Sequence, residues 1–331
     1  MTTIDVTKTH IAKELKHGSP IISCRFDPTG KYVFFGAQDF KVWRWEWSGE
    51  AKAELNHNAW VRGIAFHPNG ETVLTAGYDG RLVWWPVAAE KPEPLREVAA
   101  HDGWARTVAV SPDGSLVATA GNDRKVKLWN FADGSLVKEF VGHDCHVYNV
   151  LFHPDGKCLV SGDLKANLIH WNIETGEQVR KMTAESLCKY DPTFLADIGG
   201  FRGLAFDAAG TRLAGSGITN VTNAFAGIGN PAIVVFDWES GELKLQHESK
   251  AKLQGVGWGV AFHPDGFVIG ISGGGGGGFL LFWKPDSKEE FHQLKFPNNA
   301  RDLDLASDGL HVVTGHFDTH VRISTLAEKI A

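Results

Sequence analysis

Two sets of four residues repeat a combination of side chains that could support acid–base chemistry. They are His57, Thr75, Asp79 and Trp85, and, at identical spacing, His101, Thr119, Asp123 and Trp129. Histidine, a hydroxyl and a carboxylate are the groups of a nucleophilic triad. The hydroxyl and the acid of each set lie on one short hairpin, however, and the set recurs. A buried hydrogen-bonded network that satisfies the indole, imidazole and carboxylate groups is therefore favoured over catalysis.

The second set lies in a segment that predicts three short strands. Residues 104–110 and 116–120 are apolar and rich in β-branched side chains, and the sequence Ser-Pro-Asp-Gly between them is typical of a turn. Residues 121–124 form a tighter turn before a third strand at 125–130. The hairpin turns would bring the four members of the set together.

The same strand–turn pattern recurs seven times. The first turn of each repeat ends at a glycine, in the order Gly30, Gly70, Gly114, Gly156, Gly210, Gly266 and Gly309. The intervals are 40, 44, 42, 54, 56 and 43 residues. Repeats of about 40–45 residues are typical of propeller blades with four strands each. The two long intervals flank the fifth repeat.

The chain resembles the WD-repeat (WD40) β-propeller family over nearly its whole length. The resemblance implies one all-β domain, residues 1–331, with seven blades of four antiparallel strands. It also implies that each His–Thr–Asp–Trp set is a structural tetrad. The last repeat supplies only three strands, so we expect residues 9–16 to add the outer strand that closes the seventh blade.

The other repeats depart from the tetrad. The first has His17, Asp39 and Trp45 with Phe35 at the hydroxyl position, and the fifth has only Phe236 at the Trp position. The fourth has His143, Ser161 and Trp171 with Lys165 in place of the acid. The sixth has Ser272 and Trp283, and the seventh has Thr314 and Asp318 with Ser324 in place of Trp.

Composition limits the partner classes. The net charge of −6 and pI of about 6.2 argue against nucleic acid or an anionic membrane as the main partner. Cys24, Cys145, Cys158 and Cys188 have no metal-binding spacing, so we expect reduced thiols and neither a metal nor a cofactor. The N-terminus lacks a signal-peptide core, which favours a cytoplasmic protein. The oligomeric state stays open.

Arginine and aromatic residues recur at fixed offsets after the tetrad histidine position. In the family these offsets lie at the top of the inner strand, beside the central channel. The candidate partner-binding residues are Trp60, Arg62, Trp104, Arg106, Tyr148, Arg202, Trp258 and Arg301. Trp and Arg are enriched at binding hot spots, and Arg binds carboxylates and phosphates bidentately. The alternative is that these arginines pair with nearby acids or are simply solvated.

Two segments lengthen the fifth repeat, residues 184–200 and 216–231, and residues 273–278 form a glycine run that predicts a flexible turn. The insertions are functional or neutral. The favoured function is a non-catalytic scaffold that docks a protein or peptide, with an acidic or phosphorylated segment as the candidate ligand. The alternative is an enzyme or small-ligand-binding propeller with a site at the channel mouth, where Asp191 or Asp197 would supply an acid.

Overall fold

The computed structural model describes residues 4–223 and 228–329. The chain divides into two compact units, one of Arg25–Thr183 and one of Met1–Cys24 with Ala184–Ala331. Seven four-stranded antiparallel sheets are present, which confirms the predicted all-β, seven-bladed β-propeller. Blades are numbered here in chain order. In the described residues, no helix is both long enough and apolar enough to span a bilayer.

The first four blades take their strands in sequence order. Blade 1 contains β2 (Ile21–Phe26), β3 (Tyr32–Ala37), β4 (Lys41–Glu46) and β5 (Lys52–Asn56). Blade 2 contains β6 (Val61–Phe66), β7 (Thr72–Gly77), β8 (Arg81–Pro86) and β9 (Arg96–Ala99). Blade 3 contains β10 (Ala105–Val110), β11 (Leu116–Gly121), β12 (Lys125–Asn130) and β13 (Leu136–Val141). Blade 4 contains β14 (Val147–Phe152), β15 (Cys158–Asp163), β16 (Asn167–Asn172) and β17 (Gln178–Thr183).

The remaining strands form three blades and one extra hairpin. The hairpin pairs β18 (Cys188–Asp191) with β19 (Ala196–Gly199). Blade 5 contains β20 (Gly203–Phe206), β21 (Arg212–Asn223), β22 (Ile228–Asp237) and β23 (Leu243–His247). Blade 6 contains β24 (Val256–Phe262), β25 (Val268–Gly273), β26 (Gly278–Trp283) and β27 (His292–Phe296). Blade 7 contains β28 (Ala300–Leu305), β29 (His311–His316), β30 (His320–Thr325) and β1 (His10–Lys16). Short 3-10 helices span Val6–Lys8 and Glu185–Leu187.

The first turn of blade 3 shows how the sequence shapes a blade. Ser111 N donates to Leu116 O, and Gly114 N donates to Ser111 O, both at 2.9 Å. Gly114 has a φ of 78°, a left-handed conformation that favours glycine. The turn therefore joins β10 to β11 as a tight hairpin. The equivalent glycines of the other repeats also have positive φ values.

Apolar side chains on the middle strands pack neighbouring blades together. In the unit of residues 25–183, Val126, Leu128 and Phe140 of blade 3 share a core with Ile169 and Trp171 of blade 4. Burial of such side chains from water is the main stabilising contribution to this kind of fold. Outer strands are less buried, and Val137 and Val141 of β13 are exposed.

The N-terminal strand closes blade 7, as predicted. β1 pairs antiparallel with β30, from His10 opposite Thr325 to Lys16 opposite His320. Arg322 is only 2% exposed and donates from Nε to Glu14 Oε1 at 2.5 Å, which links the two strands through their side chains. The strand begins at His10, one residue later than expected.

The lengthened fifth repeat is built largely from strands. We expected residues 216–231 to form an insertion within a turn, but β21 and β22 continue as a ladder through Thr219, which pairs with Asn230. Ile218 and Val221 are buried along this extension, which gives it a packed face. Residues 224–227 lie outside the described residues. The other insertion, residues 184–200, contains the second 3-10 helix and the β18–β19 hairpin.

The glycine run at residues 273–278 contains the turn between β25 and β26, and its flexibility stays a prediction. A Cβ on Gly273 would lie 2.3 Å from Ala300 O, and one on Gly278 would lie 2.1 Å from Asn298 O. Gly276 N also donates to Gln254 O at 2.9 Å. Glycine is required at both ends of the run because neighbouring backbone comes too close for a side chain there.

Candidate functional site

The tetrad residues of blades 2 and 3 form continuous hydrogen-bonded chains. In blade 2, His57 Nε2 lies 2.8 Å from Thr75 Oγ1 and its Nδ1 lies 3.2 Å from Asp79 Oδ2, while Trp85 Nε1 donates to Thr75 Oγ1 at 2.8 Å. In blade 3 the equivalent contacts of His101, Thr119, Asp123 and Trp129 are 2.8, 2.9 and 2.9 Å.

The positions of the protons follow from these contacts. The indole N–H can only donate to the hydroxyl, so the hydroxyl proton points to Nε2 of the histidine, and Nδ1–H donates to the carboxylate. Every donor is then satisfied. The side chains of His57 and His101 are 0% exposed, so no substrate reaches the imidazoles. The geometry is that of a structural network.

The fourth blade has an acid that sequence reasoning missed. Asp163 Oδ2 lies 2.8 Å from His143 Nδ1, while Ser161 Oγ accepts from Trp171 Nε1 at 2.8 Å and lies 2.7 Å from His143 Nε2. Lys165 therefore does not leave this tetrad without an acid. Asp163 occupies the position of Gly77 in blade 2, where a Cβ would lie 2.9 Å from His57 Nδ1. The side chain reaches the imidazole from that neighbouring position.

The acids of these networks have depressed pKa values. Burial opposes ionisation of Asp123 and Asp163, but hydrogen bonds from His101 to Asp123 and from His143 and Asn167 to Asp163 outweigh it, so both pKa values lie below the ordinary value. The pKa of Asp79 is lowered in the same way by His57, Asn58 and Arg81. These carboxylates are charged at neutral pH and serve as fixed acceptors.

In the sixth blade, Ser272 does not occupy the hydroxyl position that was expected of it. Val268 pairs with Trp283, as Val73 pairs with Trp85 in blade 2. The residue equivalent to Thr75 is therefore Gly270, two residues before Ser272. Trp283 Nε1 instead donates to Glu248 O at 2.9 Å.

In blades 1 and 7 the residues at the tetrad positions form hydrogen bonds with other partners. Trp45 Nε1 donates to Gly49 O at 3.1 Å, and in blade 7 Thr314 Oγ1 lies 2.8 Å from His316 Nε2. Arg322 donates from Nη1 to Asp318 Oδ1 at 2.9 Å and from Nη2 to Asp318 Oδ2 at 2.7 Å. This ion pair accounts for Asp318 in blade 7.

Five of the eight candidate binding residues share one backbone feature. The pairing of the inner strand with its neighbour shifts at a bulge in five blades, and the residues inside these bulges are Arg62, Arg106, Tyr148, Trp258 and Arg301. A bulge leaves one residue out of the ladder and redirects its side chain. The recurring offset in the sequence thus corresponds to a recurring bulge. Arg202 lies immediately before β20.

In the unit of residues 25–183, four of the candidate residues and Tyr78 form a continuous aromatic–arginine cluster. Its members are Trp60, Tyr78, Trp104, Arg106 and Tyr148. The Tyr78 ring lies 6.3 Å from that of Trp60 and stacks on that of Trp104 at 4.2 Å. The Arg106 guanidinium lies 4.7 Å from the Trp104 ring centroid and 4.3 Å from that of Tyr148. Trp60 and Trp104 are 37% and 42% exposed.

Arg106 is oriented by neutral groups only. Its Nε donates to Asn122 Oδ1 at 2.7 Å and its Nη1 to Tyr78 Oη at 3.3 Å. None of the described carboxylates forms an ion pair with Arg106. The alternative in which the arginines pair with acids therefore does not apply to Arg106. Burial, Arg106 and Arg124 together lower the pKa of His146, so both guanidinium charges act on this region.

The second unit contains a smaller group of the same composition. Arg202 and Arg301 each lie 5.5 Å from the Trp258 ring centroid, and Arg301 lies 4.9 Å from that of Phe317. Phe317 is exposed. All eight candidate residues thus lie in described structure, seven of them in these two groups. Arg62 is the bulge residue of β6.

Both acids suggested for an enzymatic site lie in the β18–β19 hairpin. Asp191 Oδ1 accepts from Thr193 N at 2.8 Å and from Phe194 N at 3.2 Å, which caps the turn of the β18–β19 hairpin. Asp197 pairs with Tyr190 across the same hairpin. Tyr190, Phe194 and Leu195 are exposed near the tip. The hairpin therefore presents apolar side chains, and Asp191 is engaged in its turn.

A model of the family described as "WD domain, G-beta repeat" matches residues 49–86, 92–130 and 134–172. The matched segments run from the outer strand of one blade through the third strand of the next. They contain the three complete hydrogen-bonded networks, those of blades 2, 3 and 4.

Curated relatives match a shorter part of the chain. "Nuclear distribution protein PAC1-1" of Uncinocarpus reesii is 35% identical over 63 residues, which are 19% of this chain and 14% of the relative. "Nuclear distribution protein nudF 2" of Talaromyces marneffei is 33% identical over 76 residues, 23% and 16% of the two chains. The matched part is thus less than a fifth of the length of these curated relatives.

Proposed function

The chain belongs to the WD40-repeat β-propeller family, and we propose that it is a non-catalytic scaffold that binds a protein or peptide through its aromatic–arginine surface. The tetrad histidines are enclosed and carry the fold, so they offer no reactive group to a substrate. The match to nuclear distribution proteins covers at most 23% of the chain. The proposal therefore rests on the surface itself, and the cytoplasmic location stays a prediction.

The observation that carries this proposal is the environment of Arg106. Three aromatic rings and two neutral hydrogen-bond acceptors fix the guanidinium, and no described carboxylate neutralises its charge. A preoriented guanidinium loses little conformational entropy on binding and can engage a carboxylate or phosphate through two hydrogen bonds. We therefore propose an acidic or phosphorylated segment as the ligand.

The aromatic residues supply the apolar part of the contact. Trp60 and Trp104 are partly exposed beside Arg106 and are held by neighbouring rings, and Trp60 Nε1 also donates to Gln38 O at 3.2 Å. Rigid aromatic side chains bury much surface at small entropic cost, which is typical of binding hot spots. A partner segment that combines an acid with an apolar side chain would match both features.

The group around Trp258 is a second contact region of the same kind in this proposal. There Arg202 and Arg301 flank the half-buried indole of Trp258. We propose that it takes part in docking as the sequence pattern predicts, with Arg62 at the corresponding bulge of blade 2.

A peptide array tests the chemistry of the ligand directly. It would present peptides with clustered Asp, Glu or phosphoserine beside an apolar residue, each matched by an Asn, Gln or Ser version. Wild type should prefer the charged versions, Arg106→Gln should lose that preference, and Lys181→Gln, an exposed control, should keep it. No preference in wild type, or an unchanged preference in Arg106→Gln, would refute the proposed ligand class.

A further inference from the structure

The first turn of blade 4 brings together three side chains that can ligate a metal ion. One ligand atom from each of His153, Asp155 and Cys158 lies within 4.8 Å of the other two. Imidazole, carboxylate and thiolate are the ligands that Zn²⁺ takes, and tetrahedral geometry separates its ligand atoms by about 3.3–3.8 Å. We propose that this turn binds a Zn²⁺ ion through His153, Asp155 and Cys158.

The backbone of the turn holds these residues side by side. His153 N donates to Cys158 O and Gly156 N donates to His153 O, both at 2.9 Å. Lys157 N donates to Asp155 Oδ1 at 2.8 Å, so the second carboxylate oxygen is left for a metal. Cys158 is buried whereas Asp155 is exposed, so the three side chains extend from the surface into the blade.

The neighbouring strand places His170 on the same side of the sheet as Cys158. His170 pairs with Val160, two residues after Cys158, so the His170 and Cys158 side chains lie on the same face of the sheet. His153, Asp155 and Cys158 carry the proposal, and water would complete the four-coordinate shell of a Zn²⁺ ion held by three protein ligands.

Charged groups near the turn act in both directions. Arg180 repels a cation, and burial followed by the charge of Asp155 raises the pKa of the free Cys158 thiol to about 12. Asp155 neutralises charge from the exposed side. A bound Zn²⁺ displaces the proton of a coordinating thiol, so burial of the free thiol does not prevent binding.

Two sister turns of the same sequence type lack the thiol. The blade 2 turn has His67 and Asn69 with Thr72 at the position of Cys158. In blade 6, His263 precedes an acid, but its Nε2 lies 2.7 Å from Gly309 O and no cysteine follows. The combination in blade 4 therefore goes beyond what the turn itself requires.

Cobalt is the probe because thiolate–Co²⁺ coordination absorbs light whereas Zn²⁺ coordination does not. Untagged, reduced protein would be titrated with Co²⁺ and then with Zn²⁺. We expect a thiolate-to-cobalt absorption band that saturates at one equivalent and disappears when Zn²⁺ displaces Co²⁺. Cys145→Ser should retain the band, whereas Cys158→Ser should abolish it and Asp155→Asn should weaken Co²⁺ binding about tenfold or more.

Circular dichroism would establish that each variant is folded. Asp155 is exposed, so Asp155→Asn tests the site even if Cys158→Ser fails to fold. Zn²⁺ should also raise the melting midpoint of wild type and leave that of Asp155→Asn nearly unchanged, because an ion that binds only the native state stabilises it. Absence of the band in wild type, or an equal band in Cys158→Ser, would overturn the proposal.

Discussion

The Tyr78 ring stacks on the Trp104 ring with centroids 4.2 Å apart and planes inclined by 5°. The two residues come from consecutive blades: Tyr78 follows β7, and Trp104 immediately precedes β10. Backbone hydrogen bonds fix each residue within its own blade, since Tyr78 N donates to Trp60 O in blade 2 and Asn122 N donates to Trp104 O in blade 3. The stack joins two blades into one aromatic surface and gives Arg106 a fixed support.

Removal of this support should weaken binding even though the charge of Arg106 is kept. Tyr78→Ala removes one ring of the stack and should weaken binding of the preferred acidic peptide about tenfold, equivalent to about 1.4 kcal/mol. Tyr78→Phe keeps the ring and loses only a 3.3 Å hydrogen bond, so its affinity should stay within about twofold of wild type. Fluorescence polarisation with the array peptide measures both. Equal affinities for the two variants would contradict a supporting role for the stack.

The tetrad tryptophans should matter far more for stability than the surface tryptophans. Trp129 is 5% exposed and donates to Thr119, so Trp129→Ala should lower the free energy of unfolding by about 3–5 kcal/mol. Trp60→Ala is the matched control, because its ring is partly exposed. Urea unfolding followed by circular dichroism compares them. An unchanged midpoint for Trp129→Ala would argue against the structural interpretation of the tetrad.

The acid missed in blade 4 gives a pH-dependent prediction. Hydrogen bonds from His143 and Asn167 hold the pKa of Asp163 below its unfolded value of about 3.9 despite opposing burial. The stabilisation from Asp163 is therefore fully present above about pH 4 and is lost as the pH falls through the folded-state pKa.

Asp163→Asn should be less stable than wild type at pH 7, and the difference should shrink as the pH falls below about 4. Urea midpoints between pH 2.5 and 7 would measure it. Lys165→Asn is the control, because Lys165 stands where the sequence pattern places the acid but Asp163 makes the contact. A difference that stays constant at acidic pH would mean that the carboxylate charge is not what stabilises the blade.

Removal of the closing strand should destabilise the protein, and a peptide of the same sequence should restore stability. Deletion of residues 1–16 removes the strand paired with β30 and the Glu14–Arg322 contact, so the melting midpoint should fall and the transition should broaden. A synthetic peptide of residues 4–16, added in excess, should raise the midpoint again. A truncated protein with the wild-type midpoint and cooperativity would refute the role of this strand.

Much of the fold could be predicted because the repeat imposes it. Each first turn needs a glycine such as Gly114, so the number of repeats follows from the spacing of these glycines, and the resemblance to the WD-repeat family implies that each repeat is a blade. The closing strand followed because β28, β29 and β30 alone make an incomplete blade. These features depend on local geometry that the sequence records directly.

The errors occurred where the three-dimensional register departs from sequence spacing. The first turn of blade 6 is one residue shorter, since His263 N bonds to Phe267 O whereas His67 N bonds to Thr72 O in blade 2. In blade 2 the hydroxyl position lies five residues after the turn glycine, and the shorter turn of blade 6 reduces this to four, which places Gly270 there and leaves Ser272 two residues beyond it. Asp163 was missed because its side chain enters the network from the position that glycine occupies elsewhere. Neither the register of blade 6 nor the position of Asp163 could be read from composition or from the repeat period.

The candidate binding residues were found by offset, but their geometry was not predictable. The sequence indicates Arg and Trp at equivalent positions, whereas the bulges that redirect Arg106 and Trp258 appear only in strand pairing. Whether an arginine faces an acid likewise depends on neighbouring blades. The partner itself is not encoded in any spacing.

The most direct test of the scaffold function is affinity capture from native lysate with three proteins of confirmed fold. They are wild type, a variant with Arg62, Arg106, Arg202 and Arg301 changed to Glu, and a charge-matched control with the exposed residues Lys52, Lys181, Lys250 and Lys288 changed to Glu. Our account predicts that wild type and the lysine variant capture the same partner, that the arginine variant loses it, and that added salt weakens capture. Undiminished capture by the arginine variant would contradict docking on this surface.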